Sequence, residues 1–452
     1  MTVLVREYAR ITTDTSAAAS LDSGVVSEAT FNWLHGLASG WKGAEPVALI
    51  NNRRSLKLGS YVGYLQSPCG ESIEILPKTG MGSENPEEAR SILQRMLRSA
   101  LGIKPRQSGR AELMCMRMPL HEWIFWQFLQ ELKALVHRGL RFDYERVEEE
   151  SRYIRGQLQL DKQQRQPPGK GHLFHICHDV FTPNRIENRL LKAALEWVKG
   201  LCKSPENWRL ANELSHLMSD IPMESNPLQG FSQWRSSKLM HSYSAVRPWC
   251  ELILEKLNPN FQKGGRQGIS LLFPMEKLFE AYVDASLRKM MMAGAKLTSQ
   301  ASSEYLVRHY PDGVDISQRW FQLKPDFLLR YKGGVQVLDA KWKLLDQSAV
   351  QTDTKYGISQ NDMYQLFAYG QKYQSGTGHM MLIYPKHEGF DQPLAPFYFS
   401  SDLVLWAVPF CLESSRLVLG EWLGYFPSLN SGEVDVYAKI SNWDGIAGAE
   451  YR

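Results

Sequence analysis

The stretch from Leu323 to Lys343 reads LKPDFLLRYKGGVQVLDAKWK. Two apolar strands, Lys324 to Tyr331 and Val335 to Lys343, flank a Lys-Gly-Gly turn, which predicts a β-hairpin. A two-residue turn at Lys332-Gly333 sets Asp326 directly opposite Asp339, with their Cβ atoms roughly 5 Å apart. Like charges so placed repel and weaken a sheet. A protein tolerates the pair if something cationic sits between them. Two carboxylates with a backbone carbonyl suit a hard, oxygen-liking ion such as Mg²⁺. Strand alternation puts Lys341 on the face of Asp339, one step along. A lysine beside a bound metal can orient or activate water, or stabilise phosphorane-like charge. That set is what metal-assisted phosphodiester hydrolysis requires. The plain alternative is a capped hairpin with charges on its rim.

The bare pattern [DE]-x-K carries little information. It occurs three times, at Glu131-Leu132-Lys133, Asp339-Ala340-Lys341 and Asp353-Thr354-Lys355. The first falls in an amphipathic helix and the third in a polar loop. Only the middle one ends an apolar strand with a Pro-Asp strand opposite. Glu276 and Glu280 lie four apart on the preceding helix and share a face, so one of them could reach the metal. Otherwise both are solvated helix charges. Gln365 and Tyr369 are four apart on the following helix. Together they could bind phosphate or order water, or be ordinary interfacial polar residues.

The elements around these residues follow a helix, strand, strand, helix, strand rhythm. Pro274 to Met291 is a predicted helix, Tyr364 to Tyr373 another, Met380 to Tyr384 a buried strand, and Leu403 to Leu412 a possible final one. Pro259 to Ile269, with three Gly, reads as a linker before this block. Residues 1 to about 80 read as β-rich. Asn85-Pro86-Glu87-Glu88 starts a helix: an Asn cap, a first-turn Pro, and acids at the positive dipole end. From about 112 to 260 the pattern is mainly helical, with Gly139 ending the strong apolar face that begins near Trp123. Arg152 to Gly171 reads as an exposed basic loop, and Glu148-Glu149-Glu150 as a solvated acidic turn. Residues 151–189 carry seven Lys or Arg and three Asp or Glu, which suits a solvated segment or a surface for DNA or a partner.

At 452 residues, 43% hydrophobic and 22% charged, the chain is a folded multidomain protein rather than a disordered or fibrous one. The 52 basic and 48 acidic residues leave a net +4, which neither announces nor excludes nucleic acid. Cys69, Cys115, Cys177, Cys202, Cys250 and Cys411 are scattered, and free thiols in a reducing cytosol are expected. His172, His175, Cys177 and His178 fall close together, yet no second ligand pair follows with zinc spacing. No signal peptide and no membrane-spanning run are expected, so the expected location is cytoplasmic. The chain has no G-x-x-x-x-G-K-[ST] phosphate loop, so any nucleotide-driven motor must be a partner.

The order helix Glu, Pro-Asp, Asp-x-Lys, then Gln-x-x-x-Tyr resembles the PD-(D/E)xK nucleases, and Gln365-x-x-x-Tyr369 is similar to their RecB-like branch. Over about residues 3–412 the chain also resembles the McrC family, the nuclease subunit of the McrBC modified-cytosine restriction system. The likeness rests on Val5-Arg6-Glu7-Tyr8, Tyr61-Val62-Gly63-Tyr64, Ile73 to Lys78, Gly139-Leu140, Tyr153-Ile154-Arg155-Gly156, Pro183 to Lys192, Phe273 to Glu280 and Tyr364 to Gly370. Residues 413–452 match no pattern. The resemblance implies an α+β multidomain chain: a β-rich partner-docking domain (1–100), a mainly helical middle (101–260) and a C-terminal α/β PD-(D/E)xK nuclease core with a mixed sheet (261–452). It implies a hexameric AAA+ GTPase partner that recognises and translocates double-stranded DNA carrying modified cytosine, while this subunit stimulates the GTPase and cuts. Asp326, Asp339 and Lys341 take the family's catalytic roles, with Mg²⁺ held by Asp326, Asp339 and Glu280 or Glu276. Gln365 and Tyr369 support the scissile region. The rivals are a self-sufficient RecB-like nuclease, a non-catalytic adaptor of an AAA+ ring and, more weakly, a DNA-binding scaffold.

Overall fold

The computed structural model describes residues 2–429 apart from 17, 19, 42–45, 53, 81–84, 103–117, 236, 257–267, 312–315 and 352. Cys115 and most of the expected 259–269 linker lie outside the described residues, as do residues 430–452. The chain forms two compact units, Met1–Lys78 with Glu84–Met275, and Thr79–Ser83 with Glu276–Arg452.

The first unit opens with β1 (Thr2–Arg6), β2 (Arg10–Thr12), β3 (Ser23–Val25), α1 (Glu28–Gly40), β4 (Ala48–Asn52), β5 (Ser55–Leu58), β6 (Tyr61–Gln66) and β7 (Ser72–Leu76). The β-rich reading of this section thus gains one helix, capped by Ser27 and packing Phe31 and Leu34 into the core. Two four-stranded sheets form, β3-β2-β5-β4 and β1-β7-β6-β11, where β11 is Ile269–Pro274. Val5, Ile11, Leu56, Leu65 and Ile75 fill the core they share. Gly63 is required where β6 meets β11: its φ is +140°, and a Cβ there would stand 1.9 Å from the Leu271 carbonyl oxygen. Two buried acids bind the section internally. Glu7 accepts from the Lys78 amide at 2.8 Å, and Glu74 takes the Arg90 guanidinium in a fork at 2.8 and 2.9 Å.

Helices follow: α2 (Pro86–Ala100), α3 (Leu120–Arg138), α4 (Leu160–Gln164), α5 (Ile186–Leu201), α6 (Pro205–Leu217), α7 (Pro227–Gln233) and α8 (Arg247–Lys256). Asn85 caps α2 through the Glu87 amide, and Gly139 ends α3 at φ +95°. Asn188 joins α5 to its surroundings, donating to the Arg141 and Pro183 carbonyls and accepting from Tyr243.

The described part of residues 112–260 is mainly helical, as expected, but not wholly. A three-stranded antiparallel sheet stands inside it, β8 (Asp143–Ser151), β10 (Phe174–Thr182) and β9 (Gln157–Leu158). Strand β8 is polar apart from Tyr144 and Val147 and exposed nearly throughout, so it lacks the alternation that marks a half-buried strand. Glu148-Glu149-Glu150 is therefore strand, not turn, with Lys162 on Glu148 and Lys170 on Glu150. The expected 152–171 loop contains β9 and α4.

The second unit comprises α9 (Met275–Met290), β12 (Lys296–Ser299), β13 (Tyr305–His309), β14 (Gln318–Gln322), β15 (Phe327–Tyr331), β16 (Gly334–Ala340), α10 (Gln360–Tyr373), β17 (Gly378–Pro385), β18 (Phe397–Tyr398), β19 (Leu403–Cys411) and β20 (Arg416–Leu417). One sheet runs β12-β15-β16-β17-β19-β18, with β20 added on β19. Its β15–β16 pair is antiparallel, and β16, β17 and β19 run parallel. The parallel strands are buried on both faces and accordingly near-continuous in apolar residues. Helix α10 is the crossover between β16 and β17 and packs Leu366 and Tyr369 against Val337, Leu382 and Leu405. Strands β13 and β14 form a separate two-stranded ribbon that the sequence reading lacks. No helix of the described residues is long and apolar enough to cross a membrane.

Candidate active site

The hairpin register follows from the two-residue turn: Tyr331 pairs Gly334, and the ladder runs back to Phe327 opposite Leu338. Asp326 and Asp339 each lie one residue beyond that last pair. The Ala340 amide donates to Asp326 Oδ2 at 2.9 Å, which fastens the aspartate across the end of the hairpin. Asp339 is 1% exposed, on a strand whose parallel neighbour is β17. Lys341 follows as the sheet ends, its amide donating to the Ile383 carbonyl at 2.9 Å and its Nζ lying 2.8 Å from Asp339 Oδ2.

Glu280 of α9 reaches this cluster indirectly. Gln300, at the end of β12, donates from Nε2 both to Glu280 Oε1 and, at 3.3 Å, to Asp326 Oδ1. The Gln300 amide also donates to the Asp326 carbonyl, at 2.9 Å. Glu276, one turn earlier on α9, is exposed. The structure thus links Glu280 to Asp326 through Gln300.

Gln365 and Tyr369 are joined to each other and to the backbone before Asp326. Gln365 Nε2 donates to Tyr369 Oη at 2.7 Å, and Tyr369 donates to the Lys324 carbonyl at 2.9 Å. Tyr373, the next step of four on the same helix, donates to the Leu323 carbonyl at 2.9 Å. The backbone leading into Pro325-Asp326 is therefore held by two tyrosines of α10.

The electrostatics fit a crowded acidic site. Burial pushes Asp326 up to about 8, and the Asp339 and Glu280 charges push the same way against the Ala340 amide. Burial raises Asp339 too, opposed by Lys341. Glu280 is raised by burial, with Gln300 opposing and Asp339 adding. Burial pulls Lys341 down, but the charges of Asp339, Asp326 and Asp362 outweigh it, and the ammonium is held firmly protonated.

A hard cation fits this donor set. Asp339 Oδ1 meets no N–H or hydroxyl donor among the described residues, although the oxygen is buried. Among the described residues no three His, Cys, Asp or Glu side chains converge as a complete ligand cage. The expected three-carboxylate set of Asp326, Asp339 and Glu280 is therefore not assembled as direct ligands, and the pair Asp326 and Asp339 would offer Mg²⁺ one or two carboxylates. The histidine-rich segment has other partners: Cys177 accepts from Arg146 at 2.8 Å, and His175 lies 3.8 Å from Glu150.

Sequence reasoning missed Gln300, Tyr373 and Asp362. Tyr373 had a signal, the continuing four-residue step after Tyr369. Gln300 had none, since it sits on a bend at φ +50° outside any periodic segment. Asp362 lies in the first turn of α10, ahead of the expected helix start.

A family model described as McrBC 5-methylcytosine restriction system component matches residues 56–385. No curated protein matches the sequence. Among solved structures, a chain of the refined half-complex from the tetradecameric assembly of Thermococcus gammatolerans McrB AAA+ hexamers with bound McrC is similar at TM-score 0.66 and 19% identity, covering 95% of this chain and 99% of that one. A chain of the Thermococcus gammatolerans McrBC complex gives TM-score 0.49 and 20% identity, over 64% of this chain and 88% of that one. The first of these is a likeness of fold.

Proposed function

The chain belongs to the McrBC family of 5-methylcytosine restriction system components, and on that premise we propose that it is the subunit that cuts DNA. The observation that carries this reading is the meeting of Asp326, Asp339 and Lys341 at one end of the β15–β16 hairpin, with Glu280 tied in through Gln300. This is a PD-(D/E)xK-type arrangement for Mg²⁺-dependent hydrolysis of a phosphodiester. Asp326 and Asp339 would hold the ion, and Glu280 would complete its surroundings through Gln300. The ion, when bound, supplies positive charge to the developing phosphoryl oxyanions. Lys341 would position the attacking water and donate to phosphate oxygen. Tyr369 and Gln365 keep the Lys324 carbonyl, and with it Asp326, in place.

The partner in this reading is a hexameric AAA+ GTPase. Support comes from the fold likeness to a chain of an assembly of McrB AAA+ hexamers with bound McrC, and from the lack of a phosphate loop in this sequence. The ring would select modified cytosine and translocate the duplex in the cytoplasm, and this chain would stimulate its GTPase.

The test is reconstitution. The full chain, its AAA+ partner, GTP and Mg²⁺ are combined with methylated or unmethylated plasmid. Cleavage is expected only with all components and the methylated plasmid. Robust cutting by the isolated chain would favour a self-sufficient nuclease, and unchanged cutting by Asp339→Ala would overturn the site.

A further inference from the structure

We propose that the β13–β14 ribbon is a DNA-contacting arm of the cleavage site, gripping the phosphate backbone through Arg308 and Arg319. The proposal rests on the reading above that this unit cuts DNA.

Arg308 and Arg319 face each other directly across the ribbon. Neither makes an ion pair or hydrogen bond with another described residue. Like charges directly opposite weaken a strand pair. A two-stranded ribbon is already marginal by itself, and this one is exposed along both strands. An arrangement that is costly in the free chain is relieved by an anion between the two guanidinium groups, whose forked donors match phosphate oxygens.

The surroundings favour nucleic acid over an acidic protein surface. Tyr310, just beyond β13, and Phe321 of β14 are each 68% exposed. The His309 and Trp320 rings lie 4.2 Å apart, with Trp320 itself 40% exposed. Guanidinium groups interleaved with exposed aromatic rings are the chemistry of a surface that tracks a phosphate backbone. The described residues from 305 to 324 hold Arg308, Arg319 and Lys324 and no carboxylate. Glu304 stands at the root, and Asp312 and Asp315 fall in the connection outside the described residues. A β-ribbon also fits the major groove of duplex DNA.

Strand β14 ends four residues before Asp326, and its root is fixed where Tyr373 and Tyr369 bind the Leu323 and Lys324 carbonyls. Arg319 lies at most about 25 Å of extended chain from Asp326. A duplex held by the ribbon is therefore held within reach of the carboxylates.

Fluorescence anisotropy of a labelled DNA duplex, with the full chain in EDTA, tests this apart from cleavage. The Arg308→Ala/Arg319→Ala variant is expected to bind about tenfold more weakly or worse, with a salt slope reduced by about two. Arg308→Lys/Arg319→Lys is expected to restore most of the slope. Unchanged affinity and slope in the alanine variant, or no binding by the wild type at low salt, overturns the proposal. A chain that binds through these arginines but never cuts would overturn the nuclease reading and leave the ribbon standing. A chain that cuts, with an alanine variant binding normally, would do the reverse.

Discussion

Lys341 Nζ and Asp339 Oδ2 stand 2.8 Å apart, the lysine just past the end of the strand that carries the aspartate, so the ammonium is the counter-charge of a carboxylate that is 1% exposed. Breaking such a pair from one side leaves the other group buried and uncompensated. Lys341→Met is therefore expected to destabilise the chain by about 1–3 kcal/mol at neutral pH, the cost of leaving a buried polar group without its partner. Adding Asp339→Asn should recover most of that loss in a thermal or urea melt. Cleavage in the reconstituted complex should fall about 10²-fold or more in both variants. A double variant that recovered cleavage along with stability would reduce the pair to a structural role.

Gln300 is the joint between α9 and the hairpin, since one amide group serves both Glu280 and Asp326. Gln300→Ala removes the joint but no carboxylate. The expected result is a roughly tenfold loss of cleavage, a cost of about 1.4 kcal/mol in transition-state positioning. The chain should melt within about 0.5 kcal/mol of wild type, because Gln300 lies at a polar and partly open position. A higher Mg²⁺ requirement would accompany the loss if Glu280 helps to hold the ion.

What could be read beforehand divides along physical lines. The hairpin register was legible because a two-residue turn determines every pair behind it, which put Asp326 and Asp339 at matching positions. The α9 and α10 faces were legible because Glu280, Gln365 and Tyr369 sit on helices with clear apolar stripes. Gln300 was not legible, because its role arises from a tertiary meeting of a bend with two other elements. The β8–β10 sheet and the β13–β14 ribbon escaped for a different reason. Strands exposed on both faces carry no alternation, so polar segments such as Asp143–Ser151 look like loops. Asp362 escaped because Ser359 caps α10 earlier than its apolar residues suggest.

The two α10 tyrosines offer a graded test of positioning. Tyr369→Phe deletes the hydrogen bond to the Lys324 carbonyl and leaves Gln365 without its acceptor, next to Pro325-Asp326. Tyr373→Phe deletes the equivalent bond one residue further back, at Leu323. Each lost hydrogen bond is expected to cost about 1 kcal/mol of stability. Cleavage should fall more for Tyr369→Phe than for Tyr373→Phe, because the first lies closer to the carboxylate. Equal losses would mean that the tyrosines act only through the fold.

The raised Asp326 gives a pH dependence whose sign is fixed. Its folded-state value, about 8, lies above the ordinary carboxylate value of 3.8, so folding disfavours the charged form. The stability that Asp326 allows is fully present below the ordinary value. It declines as pH rises from there and levels off above the folded value. Asp326→Asn has no charge to lose and escapes this decline. In EDTA, the variant is expected to melt progressively higher than the wild type as pH is raised from about 5 to about 8. The same proton must leave when Mg²⁺ is held, so wild-type affinity for Mg²⁺ should strengthen across that interval and flatten above it. Calorimetry in buffers of different ionisation enthalpy reads the released proton directly. A melting difference that is flat with pH would mean that Asp326 is ionised in the metal-free chain and that the crowding of Asp326, Asp339 and Glu280 is relieved by some other charge.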